Sequence, residues 1–475
     1  VTVGPLPLLV LPMVAGAAAY FLRRWRNLPP LLTAGVAAVL GVLLLALPFG
    51  QPLRIGGQEV VLEQPVSLLG RALTLGVSDR LALGFLFLAG AALFLLAWRF
   101  GRGDLFAPLG SGVLGLLGGV LLIRPLIYSA LLFQIAATLV VFSLHAEEEG
   151  PAHGGLRYLT FCTLALPGLL VSHWLLGLYT LSPDQQSLLQ VATGLIAFSF
   201  ALLLGLFPFH AWVPAVGGDG LPLVTAFVYT VMSGGVWFLM LGYLQTYPWL
   251  VQSAYWGRVV PALGLVTAVV GGVLGTTRRG PGVWAGYAVM VDTGLALVAL
   301  AQGTQSGIGV ALNLLFVRVM GAALMAAGLS SLQMRSGGVP ALPDGVGWQA
   351  PWSTLAVVIG GLSLAGFPPT AGFAGRWALL SGLLSTDPAT GCLLLLVSVG
   401  PLVGLVQIVG GLLRRHRPIP RVGEREDTEK TEEPAPEPIL NVALLLLFIA
   451  ATVLLGLFPQ ALATAAYRLA GFFAW

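Results

Sequence analysis

Leu362–Trp377 reads LSLAGFPPTAGFAGRW, and it lies inside an apolar run, 352–382, long enough to cross a bilayer. A proline pair within such a run removes backbone donors and interrupts the helix, so the freed backbone groups need partners inside the protein or in a wet cavity. A second segment, Gly205–Pro214 (GLFPFHAWVP), closes the run 188–207 with the same ingredients. One such segment is equally well read as a proline kink for packing. Two at matched places point to an ion or substrate path, because discontinuous helices commonly form such sites.

Around these segments the chain is membrane-like throughout. Of its 475 residues 57% are apolar and 9% charged, with a mean hydropathy of +0.92; soluble domains carry roughly a quarter charged residues. The fold class expected is an all-α polytopic membrane protein of fourteen spans, at about 5–22, 30–48, 80–99, 107–123, 125–144, 157–179, 188–207, 222–246, 257–276, 282–302, 307–333, 352–382, 389–412 and 438–458. The last piece, 460–475, is either amphipathic or packed against the bundle. Pro5–Leu22 follows no charged n-region and precedes no small-residue cleavage site, so it reads as a retained helix. The polar stretch Gly50–Asp79, with valine and glutamate alternating around Gln58–Glu63, suits a small hairpin.

The net charge of +4 comes from arginines scattered among membrane-edge loops, which argues against a nucleic-acid partner; the lipid bilayer is the partner expected. Cys162 and Cys392 are too few and too far apart for a cluster or zinc site and read as small core residues. A Gly-rich dinucleotide motif, a cysteine cluster and a haem-type histidine pair are all missing from the sequence, so no cofactor is expected and any redox chemistry belongs to partners. His145 and His153 flank Glu147, Glu148 and Glu149 in a solvated charged loop, read without a metal, and His173 beside Trp174 reads as interfacial.

Orientation follows from arginine placement. Loops after odd-numbered spans hold Arg23, Arg24, Arg26, Arg99, Arg102, Arg157, Arg278, Arg279, Arg335, Arg414, Arg415, Arg417, Arg421, Arg425 and Lys430, 15 basic residues. The opposite loops hold six: Arg54, Arg71, Arg80, Arg124, Arg258 and Arg468. Both termini are therefore expected outside, in a bacterial-type inner membrane. Segment 413–438 mixes basic and acidic blocks and reads as a disordered, solvated cytoplasmic linker, with partner docking the alternative. Lys430, the single lysine, lies in it.

The two interrupted segments also carry a family resemblance. PFHAWVP resembles the PFHxWLP signature of the antiporter-like membrane subunits of respiratory complex I, a family shared with membrane-bound hydrogenases and multi-subunit sodium/proton antiporters. LSLAGFPPTAGFAGRW is similar to that family's LSLAGIPPTAGFIGK. Leu156-Arg157-Tyr158, Thr230–Trp237 (TVMSGGVW) and Ala285–Gly294 (AGYAVMVDTG) resemble its segments on spans 6, 8 and 10. The resemblance implies two inverted five-helix repeats, spans 4–8 and 9–13, with discontinuous helices 7 and 12 marked by Pro208 and by Pro368 and Pro369. The units are then 1–106, 107–246, 257–412, the linker 413–438 and 439–475.

In that family a glutamate and several lysines form a proton relay across the membrane centre. Carried over by motif, the span-5 glutamate falls on Gln134, the span-7 lysine on Leu203, the span-8 lysine on Ser233 and the span-11 lysine on Met320. The span-12 terminus alone keeps a charge, Arg376. Arg376, Asp292, Arg318 and His210 remain as ion-pathway candidates at membrane depth. An internal Asp292–Arg318 pair is the plainer reading, since an unpaired charge near the bilayer centre costs roughly 3 kcal/mol or more. A surviving half-pathway through Arg376 and His210, or arginines snorkelling to an interface, are the others. For His210 the favoured role is holding unwound backbone, with proton relay the alternative. No catalytic site is expected. Two functions follow: a membrane-arm subunit of a complex I-like NADH–quinone oxidoreductase or related ion-translocating complex, with a degenerate proton channel and a structural or coupling role beside other membrane subunits, or a stand-alone secondary transporter for another ion or solute.

Overall fold

Inside a bilayer the chain must satisfy its own backbone polar groups, and the computed structural model shows this sequence doing so with helices. It describes residues 4–47, 53–55, 58–68, 70–101, 104–144, 153–181, 184–252, 256–277, 280–337, 342–414 and 436–473.

The order begins α1 (Leu6–Phe21), α2 (Leu28–Ala46), β1 (Leu53–Ile55), β2 (Gln58–Val60), β3 (Val66–Leu68), β4 (Arg71–Leu73), α3 (Val77–Phe100), α4 (Phe106–Leu122), β5 (Ile123–Arg124), α5 (Ile127–Leu144) and α6 (His153–Leu181). It continues through α7 (Gln186–Leu204), a 3-10 turn Phe209–Ala211, α8 (Trp212–Asp219), α9 (Pro222–Phe227), a π-turn Val228–Met232, α10 (Ser233–Thr246), α11 (Trp249–Gln252), α12 (Trp256–Gly275), α13 (Pro281–Leu300) and α14 (Gln305–Arg335). After a 3-10 turn Val346–Trp348 come α15 (Pro351–Ala365), α16 (Ala371–Thr386), α17 (Pro388–Leu412), α18 (Ile439–Leu457) and α19 (Gln460–Ala470).

Eleven helical runs among the described residues are long and apolar enough to cross a membrane, and α1, α4 and α15 are shorter apolar helices beside them. The fold is thus helical and polytopic. Burial sorts the runs: in an apolar 18-residue stretch of the α9–α10 run, of α13 and of α14, 94% of the residues are buried, against 17% in the corresponding stretch of α18. Helices sheathed by other helices can hold charge at membrane depth without exposing it to lipid, and Asp292 and Arg318 lie on α13 and α14. Glycines permit the close packing. A Cβ on Gly282 would stand 1.9 Å from the Gly217 carbonyl oxygen, so α8 and α13 meet backbone to backbone there.

The expected hairpin is present as β1 antiparallel to β2, and a second hairpin, β3–β4, adds β5 as a third strand. Arg80, expected in that outer loop, instead lies in the first turn of α3; it is buried, with Nη1 3.8 Å from Glu63. The terminal helix α19 packs on α14, a Cβ on Gly309 having no room beside the Tyr467 ring. Cys162 is buried as expected, but Cys392 is exposed, because its position on α17 faces away from the bundle.

Most of the linker, residues 415–435, and the loop holding His145 and Glu147–Glu149 lie outside the described residues. The linker's end is docked rather than solvated. The Glu437 carboxylate accepts from the backbone N–H of Trp352 (2.9 Å) and Ser353 (3.1 Å) and from the Ser353 hydroxyl, capping the start of α15.

The two interruptions are built alike. α7 ends on Gly205 at φ 65° and α15 on Gly366 at φ 74°, a left-handed conformation that glycine adopts without a Cβ penalty. In each the next residue's N–H reaches back five positions, Leu206 to Ala201 O and Phe367 to Leu362 O, both at 2.9 Å. The Phe207–Pro208 and Pro368–Pro369 peptide bonds are cis.

Candidate functional site

A helix that stops inside the bundle leaves carbonyls without intrahelical donors. At the end of α15 those of Leu364 and Ala365 are taken by the Arg376 guanidinium, through Nη2 and Nη1. A cation at a helix C-terminus also complements the helix dipole. The turn is tight against it: a Cβ on Gly366 would stand 2.3 Å from Arg376 Cδ.

From there the charges converge. Arg376 Nη2 lies 3.7 Å from Asp292 Oδ1, and Arg318 Nε donates to Asp292 Oδ2 at 2.6 Å. Arg318 Nη1 donates to Ser233 Oγ at 3.4 Å, and Ser233 is the first residue after the π-turn. Helices α10, α13, α14 and α16 therefore each send one side chain to a single buried centre. The three charged side chains are at most 6% exposed, which rules out snorkelling for either arginine. One carboxylate between two guanidinium groups leaves a net charge of +1. Arg318 Nη2, Arg376 Nε, Asn313 Oδ1 and Ser363 Oγ are buried with no hydrogen-bond partner.

The first interruption carries no such charge. The Trp212 indole N–H donates to Leu202 O (3.1 Å), and Thr267 Oγ1 accepts from Phe207 N–H (3.1 Å). The Tyr229 hydroxyl donates to Val213 O, tying α8 to the π-turn. These residues hold the backbone here. The His210 ring stacks on Phe207 (centroids 5.7 Å apart) beside the Pro208 backbone. It makes no ion pair or hydrogen bond with Asp292, Arg318 or Arg376 among the described contacts.

A cleft of about 410 Å³ runs between α8, α13, α14 and α17 from the bundle end that bears Asp219 and Asp344. Leu364, Ala322 and Tyr229 also line it, so it reaches the last turn of α15, where Arg376 grips the Leu364 carbonyl.

Residues 158–400 match the family model described as NADH:quinone oxidoreductase/Mrp antiporter, TM. The chain belongs to this family. It is similar to NADH-quinone oxidoreductase subunit N of Acidithiobacillus ferrooxidans, 26% identical over 304 residues, and spans 62% of that relative's length with 60% of its own. Its fold resembles a chain of the Mrp complex from Dietzia sp. DQ12-45-1b, at TM-score 0.81 and 17% identity, covering 99% of this chain and 97% of that one. It also resembles a chain of respiratory complex I from Thermus thermophilus with bound NADH, at TM-score 0.73 and 20% identity, covering 99% and 98%.

Against this NADH:quinone oxidoreductase/Mrp antiporter framework the relay positions part company. Ser233 and Arg376 meet at the Asp292–Arg318 centre. Gln134 does not: its Nε2 donates to Thr163 Oγ1 at 2.7 Å on an exposed face of α5 and α6. Leu203 is buried in the last turn of α7, and Met320 is half-buried on α14. Sequence reasoning missed the Leu364 and Ala365 carbonyls, which any residue type supplies. It also missed the pins Trp212 and Thr267, although the tryptophan is printed in the PFHAWVP motif itself.

Proposed function

We propose that this chain is a membrane-arm subunit of a complex I-like or Mrp-type ion-translocating assembly, and that it keeps the antiporter fold without a proton relay of its own. The observation that carries this reading is the Arg376–Asp292–Arg318 centre at the break between α15 and α16. A lysine relay works because burial makes an ammonium give up its proton, whereas a guanidinium holds its proton at any accessible pH. The centre is a fixed charge that braces a broken helix.

The finer architecture is part of the same proposal. Eleven long apolar runs together with the three shorter apolar helices support fourteen crossing segments. The matched glycine caps at Gly205 and Gly366 support two inverted repeats over 107–246 and 257–412. The excess of arginines on one set of loops supports both termini outside.

Purification in mild detergent followed by intact mass measurement tests the reading. Co-purification in a fixed ratio with other membrane subunits is expected. Migration as a single chain with solute-driven transport of its own would overturn it.

A further inference from the structure

At the bundle end where α1 and α3 finish and α2 and α4 begin, a second cleft of about 410 Å³ is lined by Arg23, Arg26 and Arg99, with Trp98 beside them. Asp104 is the one acidic residue in its lining among the described residues, which together carry a formal net charge of +2. The Arg99 guanidinium is oriented from two sides: Nε donates to Asn441 Oδ1 (2.7 Å), and the group lies 5.5 Å from the Trp98 ring centroid. The Trp98 indole N–H is buried without a partner. Arg23 sits 4.6 Å over the Tyr20 ring, and Arg24 sits 4.6 Å over Trp25. Tyr20, Phe21 and Trp25 are exposed at the helix ends beside the cleft.

This combination has a defined depth in a bilayer. Exposed aromatic rings at helix ends settle at the headgroup level, and arginine-rich loops mark the side where anionic lipids attract basic side chains. Arg23 and Arg26 are exposed, which leaves the cleft mouth within reach of the membrane surface. A planar guanidinium binds a phosphate oxygen pair with two parallel hydrogen bonds.

We propose that this cleft binds the phosphodiester headgroup of an anionic phospholipid, with Arg23, Arg26 and Arg99 as its donors and the aromatic rings of Tyr20 and Trp25 seating the adjoining glycerol and acyl chains. Arg99 would then serve twice, since its bond to Asn441 already ties α3 to the start of α18. Lipid binding would stabilise that corner of the bundle.

The test titrates the full-length chain, stripped of lipid in neutral detergent, with phosphatidylglycerol and counts bound lipid by native mass spectrometry. One tightly retained phosphatidylglycerol is expected, with phosphatidylcholine and inorganic phosphate failing to compete. At about 1 kcal/mol per basic side chain, Arg23→Gln and Arg26→Gln should each weaken retention about 5-fold, and the double variant about 30-fold. Both side chains are exposed, so the variants should fold. Arg468→Gln, at the opposite end of the bundle, should leave retention unchanged. Equal retention of phosphatidylcholine, undiminished binding in the double variant, or competition by inorganic phosphate would each overturn the proposal.

Discussion

Asp292→Asn removes the only carboxylate between two buried guanidinium groups and leaves their charges facing each other. At an effective dielectric constant near 20, Asp292 attracts Arg318 at 2.6 Å by about 6 kcal/mol and Arg376 at 3.7 Å by about 4.5 kcal/mol. The variant amide still accepts hydrogen bonds, and the folded state of the native protein already bears the desolvation of all three groups. The net loss expected is therefore that of breaking a buried pair, about 3–5 kcal/mol. With an unfolding entropy near 2.1 cal/mol/K per residue, that lowers the melting temperature in detergent by about 3–5 °C. Pairing the change with Arg318→Gln restores the net charge of +1. The double variant should then recover at least about 2 kcal/mol relative to the sum of the single changes. A melting temperature for Asp292→Asn within 1 °C of the native value, or strict additivity in the double variant, would refute a charge-balanced centre.

Gly366→Ala places a Cβ 2.3 Å from Arg376 Cδ at a backbone φ of 74°. It should destabilise by about 2–4 kcal/mol, read as melting temperature, while Gly382→Ala, with open space around its Cβ, should be neutral or better. Glu437→Ala leaves the start of α15 without its carboxylate cap and should lose about 1–2 kcal/mol; no change would mean the linker's end is not held there. A maleimide should label Cys392 and spare Cys162, checked by peptide mass, and equal labelling would contradict the exposure of α17.

The membrane class and both interruptions were legible in sequence because proline and glycine inside an apolar run have few other meanings. The Asp292–Arg318 pair was legible too, from two opposite charges on successive spans. The joining of Arg376 to it was not, since that depends on how the break after α15 sets α16 beside α13. Nor was the exposure of Cys392, because the predominantly apolar α17 gives no periodic signal separating its lipid face from its packed face. The Glu437 cap was hidden for a different reason. It comes from a charged segment whose composition says only that it is soluble, and its partner lies 84 residues away.

The number of protons moved per turnover, measured in proteoliposomes of the assembly that carries this chain, decides most directly whether the buried centre is a brace or a relay. With the charge-conserving double substitution Asp292→Asn and Arg318→Gln, and assembly verified by intact mass, the native ratio is predicted. A fall in that ratio with the assembly intact would show protons passing through Asp292 and contradict a fixed-charge centre.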